Sequence, residues 1–359
     1  MAWLNYGPTV ERPASDEAET FAKIIEAFEA ESELTRKQTG RVMRVSHAVA
    51  SGLMTGVLEV DGGLPPDLAQ GLFARPGRFD VLVRLAQGPG EHVPDHVSTH
   101  RGMAVKVLGA PGDKLPESDE PDTQDFVFEA GTTFPLPDAA AFLLTLQGLS
   151  KAPLVPNVVK HAIAGGGRTA NAALNAVGKP SRNLDFFGHP KRHPLNEAYF
   201  SQAPMRWGEH VAKVGLFPLS YEQAQLGPVD TAGDRKAFRT ALVAHAAEHR
   251  TVFEVRVQLA VAGDTMPIED ASVEWPEAES RYRPVGRIVL PPQNAYSEAR
   301  RAFFDERLSF SPAHSLMEHR PLGSVMRARL AVYPEMARRR FARTGAARSN
   351  PKGLDEVPG

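Results

Sequence analysis

Alternating apolar and polar positions predict several β-strands. From Phe253 to Val261 every second residue is apolar, and Glu254, Arg256 and Gln258 lie between them, which predicts a strand with one buried face. Shorter apolar runs predict further strands over 81–86, 103–108 and 286–290. Pro291 and Pro292 end the last of these runs, because proline cannot donate a hydrogen bond to a sheet.

Other segments have the apolar spacing of helices. Phe21, Ile24, Ile25 and Phe28 follow Ser15, a residue suited to capping a helix, and predict a helical segment over 15–35. An alanine-rich helical insertion is predicted over 137–180, broken by prolines and by Gly165–Gly167, and further helices over 234–250 and 321–343. Long helical insertions between groups of strands favour an α+β architecture. The polar tail from 349 to 359 is expected to fray.

The amino-acid composition excludes several kinds of site and partner but does not identify the function. The chain has 359 residues, a formal net charge of −2 and no cysteine. The small net charge gives no reason to expect nucleic acid or an anionic membrane as a partner. The lack of cysteine excludes disulfides, zinc thiolates, iron–sulfur clusters and cysteine nucleophiles. Met1–Pro13 does not resemble a secretory signal and the longest apolar run is short, so a soluble cytoplasmic protein is expected.

One helical stripe near the C-terminus carries an arginine and a tyrosine among apolar residues. Arg329 lies one turn before Tyr333, so the two side chains can meet. A guanidinium favours the phenolate form of a tyrosine, and a phenolate is a hard anionic donor that suits ferric iron. Judged from spacing alone, a core tyrosine beside a snorkelling arginine is the better interpretation.

Histidines offer weaker signals. His47 follows a short polar and apolar run and can act either as an acid–base group or as a hydrogen-bonded structural residue. His92, His96 and His100 are spaced by four, which on a helix would form a metal-binding face. Pro94 and the upstream glycines favour a loop there instead of a zinc site.

The order of these segments along the chain resembles the haem catalase superfamily, and in particular its short catalase-related peroxidases. Residues 44–48 (Arg-Val-Ser-His-Ala) resemble the distal histidine segment, and 329–334 (Arg-Leu-Ala-Val-Tyr-Pro), with Arg340 beyond, resemble the proximal ligand motif. The resemblance spans about residues 40 to 343. Its other segments are Val83–Leu85, Arg101–Val107, Asp125–Phe128, Phe134-Pro135, Pro284–Leu290 and Ser309–Pro312.

The resemblance implies haem b (iron protoporphyrin IX) bound to one catalase-like domain. The domain would be an eight-stranded antiparallel β-barrel with surrounding helices, its core over about 40–292, and the haem would lie between the barrel and the ligand helix at about 321–343. Tyr333 would bind the iron and Arg329 would hold it as phenolate. The remaining haem-binding residues would be Arg44, Arg84 and Arg340 at the propionates and Phe128 and Phe134 at the haem face.

The distal side departs from the family pattern. His47 would be the acid–base residue, but the position of the usual asparagine falls on Thr123, with Gln124 beside it, so these three form the expected catalytic set. The resemblance implies reduction of hydrogen peroxide or organic hydroperoxides by an unidentified reductant, with catalase activity. A fatty-acid hydroperoxide isomerase and a non-enzymatic haem carrier or sensor are the alternatives. A homo-oligomer is compatible with each.

Overall fold

The computed structural model describes residues 2–91, 93–149, 154–176, 181, 184 and 188–359. The strands are β1 (Ala50–Val60), β2 (Gly77–Gln87), β3 (Arg101–Leu108), β4 (Thr123–Ala130), β5 (Tyr199–Phe200), β6 (Met205–Trp207), β7 (His210–Pro218), β8 (Thr251–Leu259) and β9 (Arg283–Leu290). The α-helices are α1 (Glu17–Thr39), α2 (Ala139–Leu149), α3 (Asn157–Ala176), α4 (Tyr221–Ala224), α5 (Ala237–Glu248), α6 (Glu298–Ala302) and α7 (Ser324–Thr344).

The strands close into an antiparallel barrel. Their order is β5-β4-β3-β2-β1-β9-β8-β7, and β5 pairs with β7 to complete the ring. The short β6 pairs with β7 beyond β5, so β5 and β6 act as two parts of one interrupted strand. The ring therefore has eight positions, which confirms the predicted fold class. Closure leaves no free sheet edge in the ring.

Every second side chain along the strands points into the barrel, and these apolar side chains fill its interior. Phe253, Val255 and Val257 of β8 are buried in the interior, together with apolar residues of β1 to β4, β7 and β9. The predicted strand 253–261 is found two residues earlier, as Thr251–Leu259, and Val261 forms an isolated bridge with Trp3. Because alternate side chains point in opposite directions, the intervening residues of β2 to β4 face outward.

Three helices pack together beside this outer face. Ile24 of α1, Leu143 and Leu146 of α2, and Val332 and Met336 of α7 share one apolar cluster. The helix α7 continues through Pro334, which lies inside it. The barrel wall and these helices enclose a space, and that space contains most of the side chains that the sequence singled out.

The prediction that glycines break the helical insertion is wrong. Gly165–Gly167 lie within α3 and do not interrupt it. A Cβ atom on Gly188 would lie 2.5 Å from the carbonyl oxygen of Ala164, so glycine at 188 allows the following chain to approach α3 closely. Parts of the predicted insertion, at 150–153 and 177–180, lie outside the described residues.

The tail from 349 to 359 is also held, not frayed. The backbone amide of Ser349 donates to the carbonyl of Arg307 at 2.9 Å. The Arg300 Nε donates to the carbonyl of Pro358, and the Ser297 hydroxyl donates to that of Gly359. These side chains satisfy backbone groups that a polar sequence would otherwise leave to water.

Candidate functional site

A cavity of about 930 Å³ lies between the outer face of β2–β4 and the helices α1, α2 and α7. Its volume is near the upper end of the range of about 300–1,000 Å³ that is typical of small-molecule sites. Eight of the ten predicted site residues line it: Arg44, His47, Arg84, Phe128, Phe134, Arg329, Tyr333 and Arg340. The exceptions are Thr123 and Gln124.

The helix wall of the cavity consists of Arg329, Tyr333 and Arg340 on α7. The Arg329 guanidinium turns inward, 5.5 Å from the centre of the Phe134 ring, so it does not snorkel to solvent. Burial raises the pKa of the Tyr333 phenol above its usual value, and the charge of Arg329 partly offsets that rise. The arginine thus acts on the phenol in the predicted direction, but burial outweighs it here.

Three arginines from distant segments converge at one end of the cavity, and we call Arg44, Arg84 and Arg340 the arginine cluster. Arg44 donates to the carbonyls of Phe304 and Leu308 at 2.7 and 2.8 Å. Arg340 donates to the carbonyl of Leu308 at 2.9 Å. These carbonyls belong to or follow a π-helical turn at Phe303–Arg307, a type of turn that is frequent at functional sites.

The arginine cluster carries more positive charge than its surroundings balance. Asp305 is the carboxylate near all three guanidiniums, 3.2 Å from Arg84 and 3.5 Å from Arg44. Burial, together with repulsion from Arg84 and Arg340, lowers the pKa of Arg44 well below its usual value. Burial and repulsion from Arg84 also lower the pKa of Arg340, to about 10. Buried cations need anionic partners, so the cluster suits a ligand with acidic groups.

The opposite side of the cavity, the strand wall, consists of His47, His100 and Glu129. Glu129 lies on β4 opposite Gly102 of β3. A Cβ atom on Gly102 would lie 2.5 Å from the His47 ring, and one on Gly88 would lie 1.8 Å from the His100 ring. Glycine at these two positions therefore makes room for the two imidazoles beside the carboxylate.

His47 has an unusual backbone. Its φ is +50°, a region that residues other than glycine rarely adopt. Its amide donates to the carbonyl of Gly88 at 2.7 Å, and its own carbonyl accepts from Arg84 at 2.9 Å. Arg84 therefore connects the arginine cluster to the backbone of His47. Backbone strain of this kind is concentrated at functional sites.

Glu129 lies between the two walls of the cavity. Its Oε1 is 3.2 Å from His47 Nε2 and 3.9 Å from Arg329 Nη2, and its Oε2 is 4.0 Å from His100 Nε2. Burial alone would raise the pKa of Glu129, but the hydrogen bond with His47 and the charges of His100 and Arg329 lower it to about 2. The carboxylate is therefore ionised throughout the ordinary pH range.

The strand wall also has the donor set of a metal centre. One donor atom each from His47, His100 and Glu129 lie within 4.8 Å of one another. Two imidazoles and one carboxylate are the ligands of many non-haem iron sites. A second group with suitable donors, Glu120, Asp125 and His314, surrounds the ammonium of Lys106, which already supplies the balancing charge.

Thr123 and Gln124 do not line the cavity, so the structure does not bring these two predicted residues together with His47. The Thr123 hydroxyl donates to Glu120 at 2.9 Å. The Gln124 amide donates to the Ser315 hydroxyl, and its oxygen accepts from the backbone of Leu316 at 2.8 Å. Both residues begin β4, roughly 15–20 Å along the strand from Glu129 at about 3.3 Å per residue. The hydrogen bonds of Gln124 hold residues 315 and 316, which belong to the connection that leads into α7.

Sequence reasoning missed Glu129, His100 and Asp305. Glu129 follows three consecutive apolar residues near the end of β4, and this acidic residue was the available signal. His100 was considered only as part of a spaced triplet, of which His92 lies outside the described residues. The loop predicted for His96 and His100 is found, and it delivers His100 to the cavity.

Comparison with solved structures shows a likeness of fold. The chain is similar to a fungal catalase, with 18% sequence identity, a TM-score of 0.60, and coverage of 91% of this chain and 68% of that one. It is similar to catalase A from Saccharomyces cerevisiae, with 17% identity, a TM-score of 0.58, and coverage of 95% and 68%. It is also similar to a bacterial catalase, with 17% identity, a TM-score of 0.60, and coverage of 95% of this chain and 63% of that one.

These likenesses establish a catalase-like fold. No family model and no curated protein matches the sequence. The chain spans about two thirds of the length of the catalases that it resembles. Among the described residues, no helix has both the length and the apolar character needed to cross a bilayer.

Proposed function

We propose that this protein is a haem-dependent peroxidase that reduces hydrogen peroxide or organic hydroperoxides. The observation that carries the proposal is the placement of Tyr333 and Arg329 on one wall of a cavity, His47 on the other, and the arginine cluster at its end. The fold is shared with proteins described as catalases. Side chains from three separate segments, 44–47, 84 and 329–340, line one cavity, and this arrangement supports the roles that the sequence resemblance implies.

The cavity fits haem b in three independent respects. Its walls are mainly apolar, which suits the face of a porphyrin. The arginine cluster has the excess positive charge that two propionates would neutralise, and the buried Arg84 Nε has no hydrogen-bond partner in the described structure. Tyr333 offers an oxygen donor, and no hydrogen bond to that oxygen is found among the described residues. Tyr333 would hold the iron, and Arg44, Arg84 and Arg340 would hold the propionates.

Bound haem would supply the redox chemistry that splits the peroxide O–O bond. Arg329 would stabilise the phenolate of Tyr333, which favours the oxidised states of the iron. The propionates would partly replace Asp305 as the anionic partner of Arg84 and Arg44. The protein's contribution on this side is therefore to bind and orient the group and to set its charge.

Proton transfer is assigned to the pair formed by His47 and Glu129. If Nε2 of a neutral imidazole donates to the ionised carboxylate, the lone pair of that ring lies on Nδ1. That Nδ1 lacks a partner among the described residues, so it would be able to take a proton from a peroxide that reached it and return the proton to the departing oxygen. Glu129 stabilises the imidazolium that forms in between, as carboxylates do in other histidine-based sites.

A second candidate function follows from the strand wall alone. His47, His100 and Glu129 could bind a divalent metal ion without haem and use it for oxidation or hydrolysis. The charge of Arg329, 3.9 Å from the same carboxylate, weakens this candidate because it already compensates Glu129. The arginine cluster would also remain without a ligand.

One experiment separates these candidates. The purified protein is titrated with haem, and then with Fe(II), Mn(II) or Zn(II) alone, and binding is followed by absorption and calorimetry. Loaded protein is supplied with hydrogen peroxide and with cumene hydroperoxide, and oxygen release, donor oxidation and isomerised products are measured. Peroxide reduction well above that of free haem supports the proposal. Stoichiometric metal binding without haem binding would replace it with the second candidate.

A further inference from the structure

The π-helical turn at Phe303–Arg307 positions the arginine cluster. Six hydrogen bonds of the described residues run from the guanidiniums of Arg44 and Arg340 to backbone carbonyls in the turn and directly after it. The carboxylate of Asp305, within the turn, forms an ion pair with Arg84 at 3.2 Å. All three arginines of the cluster therefore depend on one short piece of backbone.

A second segment packs against the same turn. It consists of residues 345–359, which follow α7 and which we call the strap. The backbone amide of Ser349 donates to the carbonyl of Arg307 at 2.9 Å. The half-buried side chains of Leu354 and Val357 pack against an apolar cluster. That cluster includes residues of the turn and the residue directly after it: Phe303, Phe304 and Leu308.

Arginines fix the strap on both sides of the stretch that covers the turn. The guanidinium of Arg348 lies 2.6 Å from the carboxylate of Glu120, which is buried. Near the other end, Arg300 Nε donates to the carbonyl of Pro358 at 2.8 Å, and Arg300 Nη1 donates to that of Leu53 at 3.1 Å. Arg300 belongs to α6, which leads directly into the turn. The strap is thus tied to the barrel and to the helix from which the turn extends.

The turn has a hydrogen-bond pattern that is rarely stable without support. The amide of Leu308 donates to the carbonyl of Phe303 at 3.0 Å, which is the five-residue spacing of a π-helix. Relaxation to the four-residue spacing of an α-helix would rotate the residues that follow by about 100°. That rotation would carry the carbonyls away from Arg44 and Arg340. Contacts with the strap therefore help to keep the turn in the form that the arginine cluster requires.

Movement of the turn would have two opposite effects on anion binding. Loss of the Asp305 carboxylate would leave the cluster with more unbalanced positive charge, which favours an anion. Loss of the six hydrogen bonds would free Arg44 and Arg340, and mutual repulsion would then separate the guanidiniums. That repulsion contributes to the lowered pKa of both arginines. Since six hydrogen bonds are set against one carboxylate, loss of the preorganised arrangement is the larger effect.

From these contacts, we infer that the strap controls the arginine cluster: the docked strap holds the cluster in the arrangement that binds an acidic ligand, and release of the strap weakens that binding. By thermodynamic linkage, the bound ligand also stabilises the docked strap. The inference rests on the proposed function for its ligand, a haem with two propionates. The step from the strap to the turn does not depend on the identity of the ligand.

The first test is a haem titration of the full-length double variant Leu354→Ser, Val357→Ser. The variant should bind haem about tenfold more weakly than wild type, because its arginine cluster is less preorganised. Haem dimethyl ester, whose propionates are uncharged, should bind both proteins within about twofold. Lys352→Ser is the matched control on the strap. It removes an exposed ion pair with Asp122 and should change haem affinity less than about twofold.

Two outcomes of this titration would overturn the inference. Equal weakening of haem and its dimethyl ester would show a general loss of packing, without a specific effect on the arginine cluster. Unchanged or tighter haem binding by the Leu354→Ser, Val357→Ser variant would show that the strap does not hold the cluster in its binding arrangement.

Hydrogen exchange tests the step from the strap to the turn. In haem-free protein, the Leu354→Ser, Val357→Ser variant should exchange faster than wild type at amides 305–308, with β7 and β8 unchanged. In wild type, haem should slow exchange in the strap. Unchanged exchange at the turn in the variant would overturn the inference. A wild-type protein that bound no haem would refute the proposed function, and exchange at the turn would still decide whether the strap holds it.

Discussion

The two walls of the cavity handle charge in opposite ways. At the helix wall and the adjoining arginine cluster, buried guanidiniums outnumber the nearby carboxylates of the described residues, and Asp305 lies near three of these guanidiniums. At the strand wall, the carboxylate of Glu129 is hydrogen-bonded to His47 and lies near His100 and the guanidinium of Arg329. A surplus of buried charge indicates a binding site for an anion, whereas a balanced acid–base set indicates proton transfer. The cavity thus combines a place that holds a group with a place that moves a proton.

The largest expected effect is at His47. His47→Ala in haem-loaded protein should lower peroxide turnover by about 100-fold or more, because it removes the acid–base group, while haem affinity stays nearly unchanged. Stopped-flow kinetics and a haem titration measure the two quantities. His161→Ala, at an exposed histidine outside the cavity, is the control. Turnover within fivefold of wild type would remove His47 from the proposed mechanism.

Substitution of Asp305 tests the surplus of positive charge in the arginine cluster. Asp305→Asn should lower the free energy of unfolding of the haem-free protein by about 2–4 kcal/mol, since the arginine cluster then lacks a carboxylate. Haem should restore most of the loss, because its propionates would supply the missing charge. Urea unfolding with and without haem gives both values. Glu306→Gln, at the next and more exposed carboxylate, should cost much less. Equal losses with and without haem would contradict the assignment of the cluster to propionates.

Glu129 should make stability depend on pH. Its pKa is lowered to about 2 in the folded protein, against an ordinary value of 4.5. A lowered pKa means that the carboxylate stabilises the fold above pH 4.5, and that this contribution disappears as the pH falls toward 2. At pH 6, Glu129→Gln should lower the free energy of unfolding by on the order of 2 kcal/mol, and the difference from wild type should shrink with acid. A difference that stays constant with pH would show that charge is not the cause.

Substitution of Thr123 is expected to have the smallest effect on turnover. It tests whether this residue acts at the distal site or only outside the cavity. Thr123→Val should change peroxide turnover less than twofold, because its hydroxyl is bonded to Glu120 outside the cavity. It should lower stability by about 1 kcal/mol through the lost hydrogen bond. A tenfold loss of turnover would instead return Thr123 to the distal site.

The same contrast explains what the sequence could predict. Arg329, Tyr333 and Arg340 lie on one helix, where spacing alone determines which side chains share a face. His47, His100 and Glu129 come from three segments, and they meet only through the pairing of β2, β3 and β4 and through glycines that make space. Strand register is not fixed by local spacing, which is why the distal group was placed near Thr123, six residues from Glu129. The strand and helix patterns predicted the α+β architecture, whereas the eight-stranded barrel was predicted from the resemblance to catalases.

The central claim is that Tyr333 binds haem iron, and the absorption spectrum of the haem-loaded protein tests it most directly. A high-spin ferric tyrosinate spectrum is expected in wild type and in Tyr282→Phe, a control at another partly buried tyrosine. Tyr333→Phe should lose that spectrum and bind haem at least tenfold more weakly. An unchanged spectrum and affinity in Tyr333→Phe would contradict the account.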